Sequence, residues 1–175
     1  MSMLETREFI IDQKLLAARN TYVIKNRQQQ QLGLAKRELL SFGPRYSFEG
    51  NSGERLGEIV GKVVSLNNEF EIKDGSGRLV ARVKKKMLKV LGSEWHMEDP
   101  QGNEIAKMDG DILHHNYNMV APDRSVIAQI HLKWATIKDE YGIGIVKPDF
   151  SPLLVLGFTI AMEHVEHYEE KKKVK

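Results

Sequence analysis

Apolar and polar positions along this chain alternate in short runs, and the runs recur. An aromatic residue returns at Tyr22, Tyr46, Phe70, Trp95, Tyr117 and Tyr141, at intervals of 22–25 residues. Two positions after each stands an apolar partner: Ile24, Phe48, Ile72, Met97, Met119 and Ile143. Eleven positions after each of the first five aromatics comes a small residue preceded by an aliphatic one: Leu32-Gly33, Leu56-Gly57, Val80-Ala81, Ile105-Ala106 and Ile127-Ala128. Turn formers or polar runs separate the two halves, as at 49–53 and 99–103. Period-2 alternation on both sides of a turn predicts a β-hairpin. Self-similarity at a fixed spacing predicts one such unit per period. The pattern therefore predicts five hairpins, the first, near 21–39, being the least regular. A sixth unit starts at Tyr141 and stops after one strand, because Pro148 and a different pattern follow. Residues 7–17 read as an opening strand or a short helix. With an opening strand, the total is about twelve strands.

The second strands of the hairpins share a dry face. Gly57, Ile59, Gly61 and Val63 fall on one parity, as do Ala81 and Val83, Ala106 and Met108, and Ala128, Ile130, Leu132 and Trp134. The other parity carries Glu58, Arg82, Lys84, Lys107 and Gln129. That division predicts an antiparallel sheet with solvent on one side. The dry face begins with Gly or Ala each time, which leaves room for something bulky. About eight strands already make a barrel that side chains alone can fill, so a closed sheet of about twelve needs a further occupant.

The C-terminal pattern supplies one. Asp149 and Ser151 are candidate N-caps and Pro152 suits the first helical position. Leu153 to Met162 is apolar on every side, and a helix of that kind is buried on every side. From Glu163 the sequence turns polar. The expectation is one domain over 1–175, with a central helix at about 151–168 leaving the barrel into water and a charged, frayed tail at 169–175. The fold class is mainly β: a closed antiparallel barrel of repeated hairpins around an apolar C-terminal helix.

Composition narrows the function classes little. Of 175 residues, 41% are hydrophobic and 29% charged, with a net charge of +2, so no global field calls for nucleic acid. Cysteine is absent, which removes disulfides and thiolate metal sites. The opening Met-Ser-Met-Leu-Glu-Thr-Arg-Glu is too polar for a secretory core, and the ten-residue run 153–162 is too short to span a bilayer. A cytoplasmic protein, peripheral at a membrane at most, is the expectation.

Three stretches carry a resemblance: Phe70-Glu-Ile-Lys-Asp74-Gly-Ser-Gly77-Arg-Leu-Val-Ala81-Arg-Val, then Met87-Leu-Lys-Val-Leu-Gly-Ser-Glu-Trp95-His-Met, and the helix Leu153–Val165. They resemble the aromatic-x-aliphatic-x-Asp-x-x-Gly hairpin, the Trp-bearing strand and the hydrophobic tail of the LURP-one-related family. That family lies within the Tubby C-terminal-like superfamily, which also includes phospholipid scramblases. The resemblance covers roughly residues 8–168. It implies a twelve-stranded barrel with a central helix, no established reaction, and phosphoinositide head groups or membranes as ligands of its wider kin. Plant members are linked to defence. None of the lipid-contacting residues of Tubby domains maps onto a particular position here, and the calcium-binding segment and terminal span of scramblases have no counterpart.

The candidate chemistry is sparse. Arg82, Lys84 and Lys86 share one side of a strand, with Lys89 and Lys62 nearby; spaced cations on a sheet meet an anionic head group or simply guard the strand from edge pairing. Lys85 falls on the inward parity, which predicts a bulge or strand end near it. Glu163-His164-Val165-Glu166-His167 offers two histidines at helical spacing for a metal, against the plainer reading of a hydrated helix end. His114-His115 reads as strand, with rings on opposite sides. Asp109-Gly110-Asp111 reads as a turn rather than a calcium loop. Trp95 and Trp134 read as barrel or rim packing, with membrane-interface anchoring as the alternative. No nucleophile elbow, Walker loop or complete dinucleotide fingerprint is present. The leading expectation is a non-enzymatic module for anionic phospholipid or a membrane surface, with Arg82, Lys84, Lys86 and Lys89 as contacts and no cofactor. A scaffold for a protein partner, and a metal-dependent enzyme using the histidines, stay open beside it.

Overall fold

In the computed structural model the chain is described over residues 1–12, 21–62, 68–88, 92–112, 114–131 and 140–173. A 3-10 turn at Met3–Glu5 precedes β1 (Glu8–Asp12). Five hairpins follow: β2 (Thr21–Lys25) with β3 (Gln31–Arg37), β4 (Arg45–Gly50) with β5 (Arg55–Gly61), and β6 (Glu69–Asp74) with β7 (Leu79–Leu88). The series ends with β8 (Gly92–Glu98) and β9 (Glu104–Asp111), then β10 (Asn116–Val120) and β11 (Val126–His131). β12 (Glu140–Ile145) leads into α1 (Pro152–Lys173). Every strand pairs antiparallel with its sequence neighbours, and β1 pairs with β12 to close the barrel. The expected twelve strands are present, and the opening segment is a strand.

The repeat sets the register. The apolar residue two places after each aromatic stands opposite the small residue of the same unit: Ile24 opposite Gly33, Phe48 opposite Gly57, Ile72 opposite Ala81, Met97 opposite Ala106, Met119 opposite Ala128. One layer of the wall thus alternates large and small, and α1 fills the space the small residues leave. Val155, Leu156, Phe158, Ile160, Ala161 and Met162 are fully buried within the sheet. Contact is close at Gly57, where a Cβ would lie 2.8 Å from Leu153 Cδ1 and 2.7 Å from the carbonyl oxygen of Lys73. Ser151 precedes the helix, and its carbonyl accepts from the amides of Leu154 and Val155.

The barrel has two unlike ends. At one, which we call the turn end, short reversals join the strands within each hairpin, and a side-chain oxygen organises several of them. Asn26 Oδ1 accepts from the amides of Gln28 and Gln30, Asp74 Oδ1 from those of Ser76 and Arg78, and Asp99 Oδ1 from those of Gln101 and Asn103. These are the local bonds that make Asn and Asp good turn residues. Hydrogen bonds from the Ser76 hydroxyl and neighbouring donors hold the Asp74 carboxyl down at about 2. At the loop end, the connections join one hairpin to the next. α1 enters at the turn end and leaves at the loop end.

Several local expectations are corrected. Asp109-Gly110-Asp111 belongs to β9 rather than to a turn; Gly110 sits at φ 123°, where a Cβ would meet the carbonyl oxygen of Asn116 at 2.8 Å. His114 and His115 lie in the tight turn before β10, not in a strand, with His115 in the left-handed region at φ 46°. No bulge accompanies Lys85, since β7 and β8 pair in unbroken register from Arg82 to Leu88. The helix runs on to Lys173 rather than ending near 168. Val63, Leu132 and Trp134 lie outside the described residues.

Candidate functional site

The cations of β7 divide by what surrounds them. Arg82 donates to the carbonyl of Pro100 at 3.1 Å. Lys84 Nζ lies 2.6 Å from Glu98 Oε2 across the β7–β8 pair, a contact that pulls the Glu98 carboxyl below its ordinary range against the opposing effect of burial. Lys86 is exposed on the same outer face, opposite Glu94 in register. Lys89 lies outside the described residues. Lys62 bridges Glu69 and Glu71 at 2.8 and 3.3 Å. The outer face of β5–β9 is therefore a lattice of alternating charges, with Lys86 standing out near the loop end.

The helix end reads differently from expectation. Glu163 is buried and His164 mostly so, because the aromatic residues of the repeat form a belt around them at the loop end. Tyr46 Oη lies 3.0 Å from His164 Nδ1, Tyr117 donates to Glu163 Oε1 at 3.2 Å, and Trp95 Nε1 donates to Glu166 Oε1 at 2.7 Å. Phe70 meets the His164 ring edge-on at 6.2 Å. The Tyr22 ring tilts against that of Tyr46, with centroids 5.7 Å apart and planes 54° from parallel. Tyr141 stacks on His115 with ring centres 4.6 Å apart and planes 11° from parallel. His115 Nδ1 comes within 3.0 Å of Glu163 Oε1. Lys85, the inward lysine, reaches Glu166 at 3.1 Å and lies 5.6 Å over the Trp95 ring. All six aromatic repeat positions thus take part, and Trp95 packs in the barrel as the sequence indicates.

The electrostatics follow from this burial. Desolvation first, then the Glu163 carboxylate, raises the hydroxyls of Tyr117 and Tyr141 well above the usual phenol range. Desolvation, reinforced by the Arg37 charge, lowers His164 to about 4. At neutral pH these phenols therefore keep their protons and His164 is uncharged. The belt is a clamp that fixes the rotation and depth of α1. The expectation of a hydrated helix end at Glu163–Glu166 is corrected: the partners of the polar residues are the polar tips of residues counted as apolar in the strand pattern. His167 lies outside the described side chains. Among the described residues no three His, Cys, Asp or Glu side chains converge to hold a metal ion. His115, against Tyr141, and His164, against Tyr46 and Phe70, face different sectors of the belt.

At the turn end an open groove of ≈ 680 Å³ runs between the wall and the start of α1, lined by Leu4, Leu56, Val80, Leu153 and the arginines Arg55 and Arg78. Both arginines are partnered, Arg55 by Glu58 and Arg78 by Asp74 at 2.8 Å. No described helix is long and apolar enough to cross a membrane.

No curated protein matches the chain in sequence. Among solved structures, the X-ray structure of a protein from Arabidopsis thaliana is similar with a TM-score of 0.64 over 94% of each chain, at 11% sequence identity. That likeness concerns the fold. The sequence profile of the LURP-one-related family matches residues 7–163, from the start of β1 to the carboxylate at the centre of the belt. The hairpin series, the closed barrel and its buried helix agree with that match, and the chain belongs to the LURP-one-related family.

Proposed function

We propose that this domain is a non-enzymatic binding module whose ligand is the anionic head group of phospholipids at a membrane surface, met from the cytoplasmic side. The interior supports a binding rather than a catalytic role: α1 fills the barrel, and the titratable groups of the belt are turned toward one another. Recognition then falls to the outside. The observation that carries the reading is the position of Lys86, exposed near the loop end of a strand whose outer face also bears Arg82 and Lys84. A cation near an anionic membrane contributes roughly 1 kcal/mol. Lys86 gives most of that and Lys84 less, because Glu98 holds it; Lys89 follows them in the sequence as a further candidate contact. Such binding is weak and falls steeply with salt.

Co-sedimentation with vesicles tests this. Phosphatidylcholine vesicles containing phosphatidylserine should carry the protein down at low salt, and neutral vesicles should not. The double variant Lys84→Glu with Lys86→Glu should lose most of the effect. Binding indifferent to lipid charge and to the double variant overturns the reading. Specific enrichment of one protein without any lipid response would point instead to a protein scaffold.

A further inference from the structure

The loop joining β3 to β4 is built inside out. Its polar side chain turns inward, with Ser41 Oγ donating to the carbonyl of Glu38 at 3.0 Å. Its apolar side chains turn outward: Leu39 is 59% exposed, and Leu40 and Phe42 are each 100% exposed. Large apolar residues seldom stand wholly in water in an ordered segment, and a contiguous group of them marks a contact surface. The loop is held rather than slack. Glu38 donates its amide to Arg45 at the base, and the Pro44 carbonyl accepts from the amide of Gly61 at 2.7 Å. The pinned base aims Leu40 and Phe42 away from the wall. Arg37 and Arg45 flank the apolar tip, one at each end of the loop; Arg45 is shared with Glu38 and Glu58, each at 3.6 Å, and the charge of Arg37 also acts on His164. It projects from the loop end, the end to which Lys86 also lies closest.

An apolar tip with cations behind it matches the depth profile of an anionic bilayer, apolar inside and negatively charged at its surface. We propose that Leu39, Leu40 and Phe42 insert into the bilayer interface, so that the domain docks loop end down, with Arg37 and Arg45 at head-group level. This rests on the membrane reading above and adds an orientation and an apolar contact to it. It also gives the weak cation array a second source of affinity, since one signal alone rarely anchors a protein stably.

The absence of native cysteine allows a single reporter to be placed at will. Phe42→Cys and, at the turn end, Gln101→Cys are labelled with an environment-sensitive fluorophore and mixed with phosphatidylcholine vesicles containing phosphatidylserine. The label at 42 should shift to the blue and brighten, and the label at 101 should stay unchanged. Leu40→Asp, at a position with no packing to lose, should fold as the parent does and lose about ten-fold or more in vesicle partitioning. If the parent binds anionic vesicles while the label at 42 is silent and Leu40→Asp binds normally, the insertion is wrong and the head-group reading survives. If the parent does not bind such vesicles, both fall. A response at 42 that grows with protein concentration in the absence of lipid overturns the insertion in favour of contact between two copies of this chain.

Discussion

The two ends of the barrel solve the same problem, joining antiparallel strands, in opposite ways. The turn end is closed by local bonds: Asn26, Asp74 and Asp99 each tie down two amides of their own reversal. The loop end is held by distant partners, with the aromatics of successive hairpins reaching inward to Glu163, His164 and Glu166 of α1. Hairpins closed by their own side chains leave the loops of the other end free of that duty. One of those loops, Leu39 to Phe42, contributes nothing apolar to the core. The contrast sets closure by local bonds at one end against closure by long-range contacts, with one outward-turned apolar loop, at the other.

The sharpest break of this contrast lies between the ends, in the wall that both share. Gly57→Val sets side-chain atoms against Leu153 and the Lys73 carbonyl, and overpacking against backbone should cost about 3 kcal/mol. Urea unfolding measures it; a loss below about 1 kcal/mol would mean that α1 is not tightly seated there. Next comes the belt. Glu163→Ala leaves the Tyr117 hydroxyl and His115 without their carboxylate and should cost about 2–3 kcal/mol, whereas Tyr117→Phe should cost about 1 kcal/mol. Equal losses from the two would show that Glu163 does not act as the hub.

A pH titration follows. The native pKa of His164 lies at about 4, below the ordinary 6.5, so the unfolded chain binds this proton first. Its contribution is complete above pH 6.5 and is lost as pH falls from about 6.5 towards 4. The loss should be about 2 kcal/mol or less, because part of the ring meets solvent. Denaturation at pH 7 and pH 5 should show it in the parent and not in His164→Gln. The smallest effect belongs to the exposed loop: Leu40→Ser and Phe42→Ser should move stability by no more than about 0.5 kcal/mol. A larger loss would mean that these side chains pack after all.

Much of the architecture was legible because two periods speak plainly. Alternation gave the strands, the spacing of Tyr22, Tyr46 and Phe70 gave the hairpins, and the all-round apolar run after Ser151 gave the buried helix. The belt was not legible. A hydrophobicity pattern counts Tyr and Trp as apolar and hides their polar tips, so polar residues following an apolar helix look solvated when their partners are rim hydroxyls. Lys85 shows the same failure. Its inward parity holds in the structure, yet the remedy is an ion pair with Glu166 rather than a break in register. The Leu39-Leu40-Ser41-Phe42 run falls between strands, where no period applies. An apolar cluster just before Gly43-Pro44 was the available signal.

The helix that fills the barrel is the last element of the domain in chain order, and the final strand pair joins β1 to β12. While the strands are being synthesised the sheet therefore has neither its filler nor its closing seam. A nascent chain with only its first eleven strands lacks both, and any sheet it formed would expose the open edges that chaperones shield from pairing. Folding must wait for residues 152–166 to clear the ribosome. A premature stop just before Pro152 would then remove the core of the whole domain rather than trim its end.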